Sequence, residues 1–181
     1  MVTINPEEIA LEFSVSDTVA RLLYNRGYDD HEKVEQFINP KLHHLQSPKD
    51  IPGIEGVDNL IKEHIEWGNK IFVFGDYDVD GVTSSAIMYK VLKRLGADVE
   101  VLIGDRFEDG YGLSPRAIDE MADKGADCII TVDCGISNHD EINYAQNKNI
   151  DMVVIDHHES AKDDNGVSVF PDCNFVDLKA L

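Results

Sequence analysis

Three short apolar runs in this chain each end abruptly at an acidic residue. Lys70-Ile71-Phe72-Val73-Phe74 leads to Asp76, Cys128-Ile129-Ile130-Thr131-Val132 to Asp133, and Met152-Val153-Val154-Ile155 to Asp156. β-Branched and aromatic runs without polar alternation are the pattern of strands buried on both faces, as in a parallel sheet. Between them the apolar positions take helical spacing. In 82–95, Ala86, Ile87, Tyr89, Val91, Leu92 and Leu95 are apolar, and Gly96 closes the segment. The pattern predicts strands at 71–75, 98–103, 127–132, 151–155 and 174–177, with helices at 82–95, 114–124 and 138–147. This alternation requires right-handed crossovers and gives an α/β fold: a parallel β-sheet flanked by helices.

Upstream the period is helical only. Ser16-Asp17 caps a helix through Tyr24 that ends near Gly27, and Asp29-Asp30 starts another, stopped by Asn39-Pro40. Pro48 and Pro52-Gly53 mark a connection, and a helix from Val57 to Trp67 ends at Gly68. The expected organisation is a helical N-terminal extension over 1–68 and an α/β domain over 69–181.

Composition narrows the setting. With 181 residues and a hydrophobic fraction of 43%, the chain has enough apolar material for one globular domain. No apolar run reaches the length of a membrane span, and Met1 to Pro6 lacks the basic and apolar regions of a signal peptide. Three cysteines without zinc spacing fit a reducing cytoplasm. The net charge of −19, from 35 acids and 16 bases, is the reverse of a nucleic-acid binder's usual balance. Metal clusters take up part of the excess; the rest reads as a solvated acidic surface, or as an acidic face for a basic partner.

The acids sit where a parallel sheet builds its sites, beyond the carboxyl ends of the strands. Asp76, Asp78, Asp80, Asp133 and Asp156 are joined there by His157 and His158. Carboxylates crowded together repel unless cations hold them. An extended Asp76–Asp80 would place its three acids on one face, and Gly81 permits the turn into the next helix. The spacing superficially resembles a calcium loop, but its twelfth position is Ile87 instead of Glu. Imidazole beside carboxylate suits a transition metal better than Ca²⁺. Cys134 reads as a small filler, His43-His44 as surface, His64 as a helix-face residue and His139 as a loop or first-turn residue. The loop from Arg106 through Gly110 and Tyr111 ends at Ser114-Pro115, a strong helix start whose free N–H groups can seat a phosphate.

Taken together, Phe74-Gly-Asp-Tyr-Asp-Val-Asp-Gly81, Arg106-Phe-Glu-Asp-Gly-Tyr-Gly-Leu113, Thr131-Val-Asp-Cys-Gly135 and Asp156-His-His158 resemble the DHH phosphoesterase superfamily, and within it the RecJ exonucleases. Ala20-Arg-Leu-Leu23 and Phe37-Ile-Asn-Pro40 extend the resemblance over nearly the whole chain. It implies a 5′-to-3′ exonuclease on single-stranded DNA, of the repair and recombination type, using a two-metal site with Mn²⁺ or Mg²⁺. It implies metal ligation by Asp78, Asp80, Asp133 and His157, with Asp133 bridging two ions. His158 would face the scissile phosphate, and Asp156 and Asp76 join it as catalytic candidates. Arg106, Gly110, Tyr111 and Ser114 would hold phosphate or nucleic acid.

Three departures qualify the match. The position four before Asp78, a His in some branches, is Phe74, which leaves the first ion a ligand short. Asp105 replaces the usual Asn. A fourth motif and a second domain, expected after the last strand, do not follow, and Asp172 and Asp177 come too early to stand in. The expectation is therefore a phosphodiesterase incomplete as this chain, needing a missing C-terminal half or a protein partner. The alternatives are a non-catalytic module of a replication or repair complex, or a phosphodiesterase for oligoribonucleotides or cyclic dinucleotides.

Overall fold

The computed structural model describes residues 3–45, 47–108 and 110–178. It divides into two compact units, Met1–Ser47 and Pro48–Leu181. The first holds helices α1 (Pro6–Glu12), α2 (Asp17–Asn25) and α3 (His31–Ile38) around Ile9, Ala20, Leu23 and Val34. The sequence reading did not resolve α1, although its signals are local. Asn5 caps it, Pro6 opens it, and Glu8 answers the cap by accepting from the Asn5 N–H.

The second unit begins with α4 (Ile54–Trp67), which the sequence reading grouped with the N-terminal extension; its buried residues instead join the core beneath the sheet. The elements that follow are β1 (Lys70–Gly75), α5 (Val79–Arg94), β2 (Asp98–Ile103), α6 (Pro115–Asp123), β3 (Cys128–Val132), α7 (His139–Gln146) and β4 (Asp151–Asp156). A two-residue hairpin, β5 (Ala161–Lys162) with β6 (Ser168–Val169), precedes β7 (Asn174–Asp177). Five strands form one parallel sheet in the order β2-β1-β3-β4-β7. The expected α/β architecture and its five strands are present.

Strand alternation sorts the core into two layers. Ile71 and Val73 of β1 point with Ile130 and Val153 towards Val57 of α4 and Leu92 of α5. Phe72 and Phe74 point with Ile129 and Val154 towards Ile118 and Met121 of α6 and Ile142 of α7. Because β2 and β3 lie on opposite sides of β1, the connections leaving β1 and β2 diverge. A crevice opens there at the carboxyl ends of β1 and β3. Among the described residues, no helix is long and apolar enough to cross a membrane.

Two features at the far end of the sheet escaped the sequence. His64, expected on a helix face, is buried. Its ring nitrogens meet Asp151 at 3.2 Å and Asn69 at 3.0 Å, which ties α4 to the start of β4. Gly53, ahead of α4, has φ +82° and lies so close to β7 that a Cβ would collide with the Phe175 carbonyl. Gly68, after α4, has φ +70° and open space around it. Gly68→Ala therefore isolates the left-handed penalty and should cost about 1 kcal/mol. Gly53→Ala adds the collision and should cost several times more, read as the shift in urea midpoint of each variant against the parent.

Candidate metal centre

The site grows out of three strand ends. After β1 the chain does not stay extended through Asp80, as the sequence reading supposed. The Asp78 carboxylate accepts the N–H groups of Asp80 and Gly81, at 2.9 and 3.0 Å, and as N-cap it starts α5 at Val79. Asp76 is thereby buried at 2% exposure, Asp78 stands at the helix mouth, and Asp80 lies in the first helical turn. Gly81 is required by close approach, since a Cβ there would run into the Asp76 backbone. The helix N-terminus favours the two anions it carries.

After β3, Asp133 takes φ +61°, a left-handed conformation that Asp tolerates better than most residues and that often marks functional sites. Its N–H bonds the Ile155 carbonyl of the neighbouring strand, and its side chain turns into the crevice. There it meets His157 Nε2 at 2.9 Å, with the Asp78 carboxylate near enough for the two charges to interact. Ligand atoms of Asp133, His157 and His158 all lie within 4.8 Å of one another.

At the end of β4, Asp156 organises what surrounds it. One oxygen accepts from His157 N (2.7 Å), His158 N (3.1 Å) and His158 Nδ1 (2.7 Å); the other accepts from Ile136 N at 3.1 Å. At 2% exposure it is a charge held by donors on all sides. Since an ionised carboxylate only accepts, His158 Nδ1 must carry the proton. In the neutral ring, Nε2 is then the free lone pair.

The electrostatics show strain between like charges. Hydrogen bonds from the Gly81 and Asp80 backbone hold Asp78 below the usual carboxylate range. Burial pushes Asp133 up, and the Asp78 charge adds to the rise. A divalent ion would relieve this pair, and the donor set of hard carboxylates with imidazole suits Mn²⁺. Cys134 is no competitor: burial raises its thiol well above the ordinary range, so it stays protonated. Phe74, at 0% exposure, points into the core, away from the crevice.

The loop between β2 and α6 closes the other side. Asp105 accepts the N–H groups of Phe107 and Glu108, at 2.8 and 3.2 Å, an acceptor role that Asn in its place would fill equally well. The Arg106 guanidinium lies 5.6 Å over the Tyr77 ring. Tyr111 reaches His158, its hydroxyl 3.0 Å from Nδ1. Gly110 turns with φ +77°. Ser114 is buried and accepts from Ala117 N at 3.1 Å, the ordinary duty of a helix cap. Asn138, which the sequence reading missed, pins this loop by bonding both the N–H and the carbonyl of Leu113.

The model of the DHH family, N-terminal domain, matches residues 70–175. The single-stranded-DNA-specific exonuclease RecJ of Bacillus subtilis is 36% identical over 148 residues, which is 82% of this chain and 19% of that protein. A crystal structure of exonuclease RecJ bound to manganese matches with a TM-score of 0.65 and 34% identity, covering 74% of this chain and 33% of that one. RecJ of Thermus thermophilus in complex with Mn²⁺ matches at 0.69 and 25%, covering 99% and 24%. The chain thus spans about a fifth of the Bacillus relative's length.

Two results follow from the geometry. A folded pKa above the unfolded one means Asp133 favours the fold at acid pH and opposes it once the pH exceeds the folded value. At neutral pH, then, Asp133→Asn should raise the melting temperature of the metal-free protein and remove the further rise that Mn²⁺ gives the parent. Asp156→Ala, which strands several buried donors, should cost about 3 kcal/mol by urea unfolding. Asp156→Asn, retaining one acceptor oxygen, should cost less.

Proposed function

The chain belongs to the DHH family, and from that premise we propose that it carries the metal centre of a phosphodiesterase that degrades single-stranded DNA from the 5′ end. The observation that supports this most directly is the meeting of Asp133, His157 and His158 within 4.8 Å, with Asp78 against Asp133. Asp78, Asp80, Asp133 and His157 are the ligands in this reading. A divalent ion bound there, Mn²⁺ or Mg²⁺, supplies Lewis acidity at the phosphoryl oxygens and lowers the pKa of a coordinated water.

The chain's own residues do the rest. Asp78, kept anionic by the α5 N-terminus, and Asp133 present negative charge to the cation. Asp156 locks the His158 ring so that Nε2 faces the reacting phosphate, as acceptor when neutral and as donor when protonated. Asp76, buried behind the centre, contributes field without contact. Arg106, with no ion pair among the described residues, offers a forked grip on a phosphate, and the Gly110 turn brings the backbone near it. Free cysteines at 128, 134 and 173 support a cytoplasmic setting, and a protein partner is proposed to complete the grip on DNA that so acidic a chain provides weakly.

Calorimetry with Mn²⁺ tests the centre, and release of mononucleotides from 5′-labelled single strands tests the reaction. Asp133→Ala should weaken Mn²⁺ binding by more than about a hundredfold, beyond the ~10–100-fold that loss of an outer partner costs. Hydrolysis supported by the chain, alone or with its partner, should stop in Asp133→Ala and in His158→Ala, with only the first losing the metal. Unchanged Mn²⁺ affinity in Asp133→Ala contradicts the assignment.

A further inference from the structure

One helix start breaks the usual rule. Asn138 precedes α7, where an asparagine side chain ordinarily accepts from the N–H groups of the first turn. Here it makes no such bond. Its Oδ1 accepts the Leu113 N–H at 3.3 Å, and its Nδ2 donates to the Leu113 carbonyl at 3.3 Å. The same Nδ2 donates to Glu141 Oε2 at 3.1 Å, which holds the amide in that orientation. Gly112 fits this contact: at φ +82° it leaves room for the amide, and a Cβ there would come within 2.6 Å of Asn138 Oδ1.

Asn138 follows Asp133 on a turn with little freedom. Asp133 and Gly135 have φ +61° and +111°, and a Cβ on Gly135 would run into Thr131. The Asn138 N–H closes the turn on the Gly135 carbonyl at 2.9 Å. In between, the Ile136 N–H bonds Asp156 at 3.1 Å, and Ser137 Oγ donates to the Glu159 carbonyl at 2.9 Å. One short segment therefore begins with the carboxylate that faces the ion and ends with the amide that holds the loop over 104–113.

We propose that Asn138 is a positioning residue that couples the metal centre to this loop: an ion that fixes Asp133 also holds the loop closed, through the turn over 133–138. The inference rests on the metal-centre reading and goes beyond it, because the Asn138 amide is spent on Leu113 and Glu141 and touches neither ion nor phosphate. Without the ion, the charge of Asp78 works against Asp133, and the turn carries that load. With the ion the load is removed, and opening of the loop becomes rarer. Tyr111 gives the loop another contact with the centre, at His158, and that contact is the rival route for any coupling.

Hydrogen exchange of the backbone amides over 105–113, read by mass spectrometry on the full chain with and without Mn²⁺, tests the proposal. In the parent, Mn²⁺ should slow exchange there by at least about fivefold, the lower end of coupling between sites. In Asn138→Ala the slowing should vanish. The side chain caps nothing on α7, so the helix start survives its removal, and Mn²⁺ affinity by calorimetry should match the parent's. Asn69→Ala removes a bond to His64 at the opposite end of the sheet and controls for lost stability; it should retain the slowing. Equal slowing in the parent and Asn138→Ala overturns the proposal and assigns the coupling to Tyr111 and His158. Absence of slowing in the parent overturns it too, as does its loss in Asn69→Ala, which would make it an effect of stability alone. A parent that binds no Mn²⁺ defeats the metal-centre reading first and the coupling with it; the calorimetric titration tells the two failures apart.

Discussion

Repulsion between carboxylates at the carboxyl end of a parallel sheet is the constraint on which this site depends. Hydrophobic burial fixes where β1, β3 and β4 end, and the sequence places acids at or just beyond each end. Asp78, Asp133 and Asp156 are then brought together whether or not their charges agree. Each has a different answer. Asp78 takes N–H groups from a helix start. Asp156 is enclosed by four donors. Asp133, at 8% exposure, faces His157, His158 and the like charge of Asp78. The unrelieved charge is concentrated on Asp133, and that is where a cation gains most.

The same arrangement separates orientation from contact. Asp156 is the most heavily bonded side chain in the centre, and it points those bonds at the backbone and ring of the two histidines that follow it. A residue committed in this way has little capacity left for an ion or a phosphate. It sets the ring of His158 and the backbone entry to the loop beyond β4. His157 and Asp133 keep their lone pairs turned towards each other, held by one proton that a metal would displace. The loop over 104–113 reaches the centre from the edge strand and is tied down by Asn138 and by the Asp105 turn. Its aromatic and basic groups therefore border the crevice from a defined direction.

Most of the fold was readable because it is local. Apolar runs without alternation gave the buried strands, and Ser16, Asp30, Ser114 and Gly68 marked helix ends through their own chemistry. The convergence of the acids was readable from the sheet rule alone. What was not readable came from competition and from distance. Spacing alone predicts an extended Asp76–Asp80, but the Asp78 side chain captures the next N–H groups and starts the helix at Val79, three residues before the predicted 82. His64 finds Asp151 across 87 positions of sequence, and Asn138 finds Leu113 across 25; no spacing rule anticipates either. Phe74 shows the opposite case. Its place four before Asp78 suggested a vacant ligand position, but strand alternation aims it at the core on the face away from α5.

In this reading Asp133 and His157 share a divalent ion between β3 and β4. Anomalous diffraction from crystals soaked in Mn²⁺ tests it most directly. A manganese peak is expected at bonding distance from Asp133 Oδ1 and His157 Nε2, with the Asp156 carboxylate still on His158 Nδ1. A peak bound elsewhere on the acidic surface, or none at this crevice while His157 remains hydrogen-bonded to Asp133, would contradict it.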